Sequence, residues 1–375
     1  MKKCLIVCSS FYPAYKSGGP ARSLSNLVQT LSDKVQFDIF TSDRDMGESS
    51  PFKGVKVNEW GNKYSNSSVF YSSPKFSILR NIKSIFRNND YDVIYLNSFF
   101  DRKYTILFLL LGSLGIIDKN KILLAPRGEL TIGAMSLKPY KKKVYLFLFK
   151  LLFSYKEITF HFTSKEEVTE ALYFLGDVKY KLAPNMHGEF PEYKEKEKEV
   201  DSINVIFLSR ISPKKNLITI IETLSSIRAG NINFTIAGVV DDRLYWDKCR
   251  SLLKSLPSNI KVRILGAIDR DQVTEELSKS HVFFLPTLNE NYGHAIVEAM
   301  MHSNIVILSD QTPWSNVSNS GGYIGDVNDK MFYAQSIVDV LSTNKVEYNK
   351  ATKATYEFSS LILKDNLKSI KKLFN

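Results

Sequence analysis

Residues 282–300, VFFLPTLNENYGHAIVEAM, hold the end of a strand, a loop and the start of a helix. The apolar run 282–285 has no polar interruption, as in a strand buried on both faces. The strand, read over 282–287, ends near Thr287, and the helix begins near Gly293. The amides of Gly293, His294 and Ala295 then fall in the first helical turn, where intrahelical acceptors are lacking. Glu298 stands about 7 Å further along the axis, and helical side chains tilt back toward the N-terminus. Glu290 reaches the same place from the loop. Carboxylates beside backbone donors suit a ligand that is both hydroxylated and phosphorylated, because carboxylates accept from sugar hydroxyls while amides and cations hold phosphate. A nucleotide sugar has both kinds of group.

The same strand–loop–helix rhythm runs outward in both directions. In the second half, 204–210, 233–239, 261–268 and 305–310 read as further strands. In the first half, 5–8, 37–41, 55–59, 93–97, 122–125 and 159–163 read as strands, with helices over 21–32, 78–87, 103–114 and 138–152. This alternation predicts an α/β protein with two Rossmann-like, doubly wound parallel sheets. The stretch APNMHGEFPEYKEKEKEVDS reads as the linker. The expected domains are residues 1–184 and 185–355, with a helix over 356–375 that could cross back to the first. Ligands of such sheets bind beyond the carboxyl ends of the strands, so the loops after strands are where function is expected.

Composition supports two folded domains: 375 residues exceed a comfortable single core, and 44% hydrophobic with 24% charged residues excludes disorder as the default. The net charge of +11 lies wholly in residues 1–184, which carry 27 Lys+Arg against 16 Asp+Glu, whereas residues 185–375 carry 23 of each. Such asymmetry fits nucleic acid, an anionic membrane surface or an acidic substrate. No RNP, zinc-finger or helix-turn-helix signature is present, so nucleic acid is not an expected partner. Cys4, Cys8 and Cys249 have no metal-ligand or redox spacing and suit buried thiols in a reducing compartment. The opening MKKCLIVCSS is read as a first strand, not a signal peptide, and the apolar segment 104–117 is too short to span a bilayer.

Four further stretches bear on the chemistry. After the first strand, SSFYPAYKSGGPARSLSNL places Gly18 and Gly19 before a helix, where backbone can approach an anion; it is neither a dinucleotide fingerprint nor a P-loop. At the end of the strand 204–210, LSRISPKKNL puts Arg210 at the carboxyl end and Lys215 at the next helix, the outline of a diphosphate site. DRD occurs at 43–45, in an expected surface loop, and at 269–271, where Asp269 suits a helix N-cap. Both are assigned to structure, and no metal is expected.

Taken together, the E-x7-E spacing around Gly293, the R-x4-K of RISPKK and the Gly-Gly after the first strand resemble the retaining family 4 glycosyltransferases of the GT-B fold. The resemblance extends over nearly the whole chain. LAPRGELTIGAMSLKPYKKK, TSKEE and DQTPW resemble a bacterial subgroup that builds O-antigen, capsule and other surface polysaccharides. It implies that Glu298 binds ribose hydroxyls, Glu290 contacts the donor sugar, Arg210 and Lys215 stabilise the leaving diphosphate, and Gly293, His294 and Ala295 offer amides. Gly19 would approach the phosphates or the acceptor. One position departs from the pattern: where many members have a histidine, this chain has Arg127, which cannot act as a base at neutral pH but can hold acceptor phosphate or donor sugar. Asn97, at another strand end, is a further candidate.

The reaction so implied transfers a sugar from a nucleoside-diphosphate donor, UDP-linked or GDP-linked, to an acceptor hydroxyl, with no cofactor besides the donor. The segment LKPYKKKVYLFLFKLLFSY combines lysines with an apolar face, which fits an interfacial helix on anionic lipid and almost equally an internal helix with a basic outer face. With the subgroup resemblance it points to a peripheral protein of the cytoplasmic leaflet, with an undecaprenyl-diphosphate-linked saccharide as acceptor. Another GT-B nucleotide-sugar enzyme, such as an epimerase or a phosphorylase, is the alternative.

Overall fold

Alternation along β1 (Lys2–Val7) explains why its sequence is apolar on both faces. Cys4 and Ile6 share one core with Leu24, Leu27 and Val28 of the helix Gly19–Leu31, while Leu5 and Val7 face a second core with Phe40, Leu96 and Phe108. This computed structural model describes the chain apart from residues 18, 87–89, 137, 189–190, 291 and 375 and the side chain of residue 62. The chain divides into two units, Met1–Gly188 with Lys364–Asn375, and Glu189–Leu363.

The first unit's sheet adds β2 (Val35–Ser42), β3 (Trp60–Tyr64), β4 (Ser67–Ser72), β5 (Val93–Asn97), β6 (Ile122–Ala125), β7 (Thr159–Phe162) and β8 (Lys179–Leu182). Their order is β3-β4-β2-β1-β5-β6-β7-β8, parallel except for the β3–β4 pair. The strand expected at 55–59 is not formed; Val57 makes only an isolated bridge to Tyr71. The edge is built instead by the β3–β4 hairpin, whose polar residues read as loop but whose Trp60 and Phe70 pair across the strands, edge to face with centroids 5.4 Å apart.

In the second unit the strands β9 (Ser202–Leu208), β10 (Asn231–Ala237), β11 (Ile260–Gly266), β12 (Val282–Leu285), β13 (Ile305–Ser309) and β14 (Tyr323–Gly325) lie in the order β11-β10-β9-β12-β13-β14, every pair parallel. The chain winds outward from β9 to β11, then returns and winds the other way from β12. The strand order therefore reverses between β9 and β12, and in the first unit between β1 and β5. Loops leaving the carboxyl ends of these pairs diverge and leave room for a ligand.

Two boundaries differ from the sequence expectation. The first unit runs to residue 188, not 184, because Asn185 Oδ1 accepts from the Ser23 hydroxyl at 2.9 Å, Asn26 Nδ2 donates to Met186 O at 3.2 Å, and Met186 and His187 are buried. The charged run that follows, read as the linker, is anchored at several points. Tyr193 donates to Asn349 O at 2.8 Å, and the Lys196 ammonium caps the carbonyls of Leu277 and Ser280; burial lowers it to about 7. The final helix is one piece from Lys345 to Lys371 instead of starting at 356: Asn344 Oδ1 accepts from the amides of Val346 and Glu347, and the buried Tyr348 hydroxyl donates to His281 O or Ser303 O. Beyond it, Leu373 and Phe374, with Ile370 of the helix, enter the core around Phe37. Among the described residues no helix is long and apolar enough to cross a membrane.

Candidate active site

A close backbone approach sets the geometry after β9. Gly238 has φ +149°, and a Cβ there would lie 1.8 Å from Ser209 O, so only glycine lets the loop after β10 run against the loop after β9. Ile211 N then donates to Val239 O at 2.8 Å, and the Arg210 guanidinium meets Asp241 at 3.3 Å. Residues Pro213–Lys215 form a 3-10 turn, and Asn216, in left-handed conformation, opens the helix Leu217–Ser225.

The loop after β12 is stitched to this one. Leu288 N donates to Lys214 O at 2.8 Å, and Asn216 Nδ2 donates to Pro286 O at 3.0 Å. This brings the Lys215 ammonium into an ion pair with the Glu290 carboxylate, both side chains mostly buried. A third loop fixes the acid from behind: Glu290 N donates to Gln311 O at 3.0 Å.

Gly293 caps the helix His294–Met301 with φ +77°. A Cβ on it would stand 2.6 Å from Ile296 Cδ1 and 3.1 Å from Glu290 Cγ, so the position needs glycine both for conformation and for space. Ile296 N is the first amide to bond back to Gly293 O, at 2.9 Å, so Gly293, His294 and Ala295 precede the helical ladder, as their sequence positions imply. The helix is held by Ile296, Val297, Ala299 and Met300 in the core, with Glu298 half-buried on its middle turn. The His294 ring packs 5.2 Å from Tyr292, which meets Trp314 edge-on.

In the first unit, Arg127 follows β6 with φ +55° and is committed to its own surroundings. Its Nε donates to Asn97 Oδ1 at 2.7 Å, Nη2 donates to Tyr95 Oη at 2.8 Å, and Nη1 donates to Asn185 Oδ1. Behind it, Tyr95 Oη lies 2.7 Å from His161 Nδ1, whose other nitrogen lies 2.8 Å from Ala183 O. Burial, then the Arg127 charge, pushes the His161 imidazole down to about 3. Neighbouring Glu129 accepts from the amides of Phe99 and Phe100 and from Ser98, yet burial still raises its carboxyl above the usual value. Gly19 opens its helix after β1, and Gly18 lies outside the described residues.

The two DRD stretches have structural work. Asp43 and Asp45 are buried and not in an exposed loop: Arg44 binds Asp43 at 2.7 Å, and Asp45 accepts from the amides of Tyr15 and Lys16, fixing the loop after β1. Asp269 forms a reciprocal capping box with Gln272.

Residues 189–358 match the family model described as glycosyl transferases group 1. The match lies within the second unit. Over the whole chain the fold is GT-B, shared with Anabaena HepE solved with UDP and glucose (14% identity, 99% of each chain covered, TM-score 0.68). It is shared too with sucrose-phosphate synthase of Thermosynechococcus elongatus (14% identity, 100% and 98% covered, TM-score 0.70) and with WaaG, a glycosyltransferase involved in lipopolysaccharide biosynthesis (10% identity, 99% of each chain, TM-score 0.58). No curated protein matches the sequence.

In the second unit, Lys215, Glu290 and Gly293 are brought together at the β9/β12 switch, and Arg210 lies on the loop that carries Lys215. Two neighbours escaped the sequence reading. Asp241 meets Arg210 only because Gly238 sets the register of two loops thirty residues apart. Lys214 adds a third cation, its ammonium lowered by desolvation and then by Lys215, against the pull of Glu290. The adjacent lysines of PKK were its only signal.

Proposed function

We propose that the protein is a retaining, family 4 glycosyltransferase that moves a sugar from a nucleoside-diphosphate donor to a hydroxyl of a lipid-linked saccharide, in the synthesis of a bacterial O-antigen or capsule. The observation that carries this reading is the Lys215–Glu290 ion pair, on the same loop as Arg210, at the strand-order reversal of the unit that matches group 1 glycosyl transferases. A UDP-sugar is favoured as donor, since the HepE structures hold UDP and UDP-glucose; a GDP-sugar is the second choice.

In this mechanism Glu298 accepts from the ribose hydroxyls and Glu290 from the donor sugar. Arg210, Lys215 and the amides at Gly293–Ala295 take up the charge of the departing diphosphate. The bond from the anomeric carbon to the phosphate oxygen breaks, the acceptor oxygen bonds to the same face, and its proton passes to the leaving diphosphate oxygen. Three cations around the diphosphate supply stabilisation that a divalent ion supplies elsewhere, so activity is expected to survive chelation. Arg127 is assigned to the donor sugar or the acceptor phosphate and Gly19 to the phosphates or the acceptor, and the acceptor is read as an undecaprenyl-diphosphate-linked saccharide at the inner face of the cytoplasmic membrane.

The test is thermal stabilisation of the chelated protein by UDP, GDP, ADP and their sugar conjugates. A rise with one nucleotide, lost in Glu298→Ala, supports the donor site. Stabilisation by none of them sinks it. Release of free sugar or of a new nucleotide sugar without acceptor would favour an epimerase.

A further inference from the structure

We propose that the outward face of the helix Pro139–Leu152 is a docking surface for an anionic lipid bilayer. The helix is apolar on two opposite sides. Its inward side is accounted for: Leu146 and Phe149 are buried, Phe149 packs 4.7 Å from Phe99, Tyr145 donates to Phe99 O at 3.0 Å, and Lys142 donates to Ala134 O at 2.6 Å. The opposite side is occupied by Tyr140, Val144, Phe147, Leu148 and Leu151, at the i, i+4, i+7, i+8, i+11 spacing that makes one continuous stripe. All five are exposed, Tyr140 at 85% and Phe147 and Leu151 at 67% each. The Ser113 hydroxyl donates to Leu152 O at 3.0 Å, which brings the end of the helix Leu107–Ser113 alongside; Leu114, next in the chain, is 72% exposed. Single exposed apolar residues are ordinary, but a contiguous stripe of large ones marks an interaction surface.

Charge selects the occupant. Lys143 and Lys150 border one edge of the stripe, Lys141 the other, and Lys138 precedes the helix. Residues 138–155 contain no Asp or Glu, and among the described residues none of these four lysines forms an ion pair. A second copy docking on this face would set lysines against lysines around the apolar contact. An anionic bilayer neutralises them and takes the stripe into its headgroup–acyl boundary. The sequence alone left an interfacial helix and an internal helix with a basic exterior nearly equal; the exposed stripe favours the first.

This inference deepens the lipid-linked acceptor reading and rests on it for its biological role, so vesicle binding is measured separately from donor binding. The full chain is floated with phosphatidylcholine vesicles containing or lacking phosphatidylglycerol, as wild type, as Phe147→Glu/Leu151→Glu and as Lys141→Gln/Lys143→Gln/Lys150→Gln. The wild type is expected to float with anionic vesicles only. The glutamate variant is expected not to float even at low salt, and the glutamine variant to bind on the order of a hundredfold more weakly, at about 1 kcal/mol per lysine. Both variants should keep the wild-type melting temperature and nucleotide-induced stabilisation, which shows that fold and donor site are intact. Retained flotation of the glutamate variant overturns the proposal, as does a lipid-free wild-type dimer that the glutamate substitutions dissociate. Loss of donor binding with flotation intact would remove the donor reading and leave the docking surface standing.

Discussion

Lys215 and Glu290 illustrate how much one contact can be asked to do. In the proposed reaction the ammonium would orient an acid aimed at the donor sugar and add charge where the diphosphate leaves. Lys215→Ala is therefore expected to lower kcat by roughly 10²–10³-fold, the usual loss of one preorganised electrostatic partner, with a small change in donor KM. Steady-state kinetics check this, and a pure KM effect would reassign Lys215 to ground-state binding. Gly293→Ala tests the backbone. The new residue incurs about 1–2 kcal/mol for its left-handed conformation, and its Cβ presses on Glu290, so both melting temperature and turnover should fall; wild-type values for both would contradict the packing described. At this scale the meeting of Lys215, Glu290 and Gly293 was legible because each sits at a fixed offset from an apolar strand. Asp241 was not, since nothing in its local sequence says that Gly238 carries its loop to Arg210.

At the scale of elements, the central parallel strands could be read because burial on both faces leaves uninterrupted apolar runs. The β3–β4 hairpin could not: an edge hairpin with polar outer residues looks like loop, and only the cross-strand Trp60–Phe70 pair reveals it. The charged strap after residue 190 misled for the opposite reason. Its charge density marked it as the linker, but did not show that Lys196 and Lys198 are consumed by carbonyls at the ends of other elements. The final helix gives the prediction at this scale. Phe374 packs on Phe37 at 5.6 Å and Tyr95 at 6.2 Å, and Lys181 Nζ donates to Leu373 O at 2.7 Å. Phe374→Ala should destabilise the first unit by about 3–5 kcal/mol. Denaturant titration is the check, and a loss below roughly 1 kcal/mol would mean that this ring is not part of the core.

The molecule as a whole should be sensitive to mild acid. Burial holds His161 and His187 near pKa 3, His281 near 4, and lowers His302, whereas an unfolded chain titrates near 6.5. Between those limits the unfolded state binds more protons, so each histidine's contribution is fully present above the unfolded value and is lost as pH falls below it, at up to about 1.4 kcal/mol per pH unit. Glu129, with its raised carboxyl, acts in the opposite sense but as a single group. The melting temperature should accordingly drop between pH 7 and pH 5; a flat profile would show that these imidazoles become protonated without unfolding. Finally, the second unit lies inside the first along the chain, since Lys364–Asn375 return to complete it. During synthesis the first unit is translated early but lacks Ile370, Leu373 and Phe374 until the whole second unit has been made, so the usual order in which the N-terminal domain folds first is reversed. The internal domain can finish folding while its host still waits, and a fragment ending at residue 188 would leave the host's core open to aggregation.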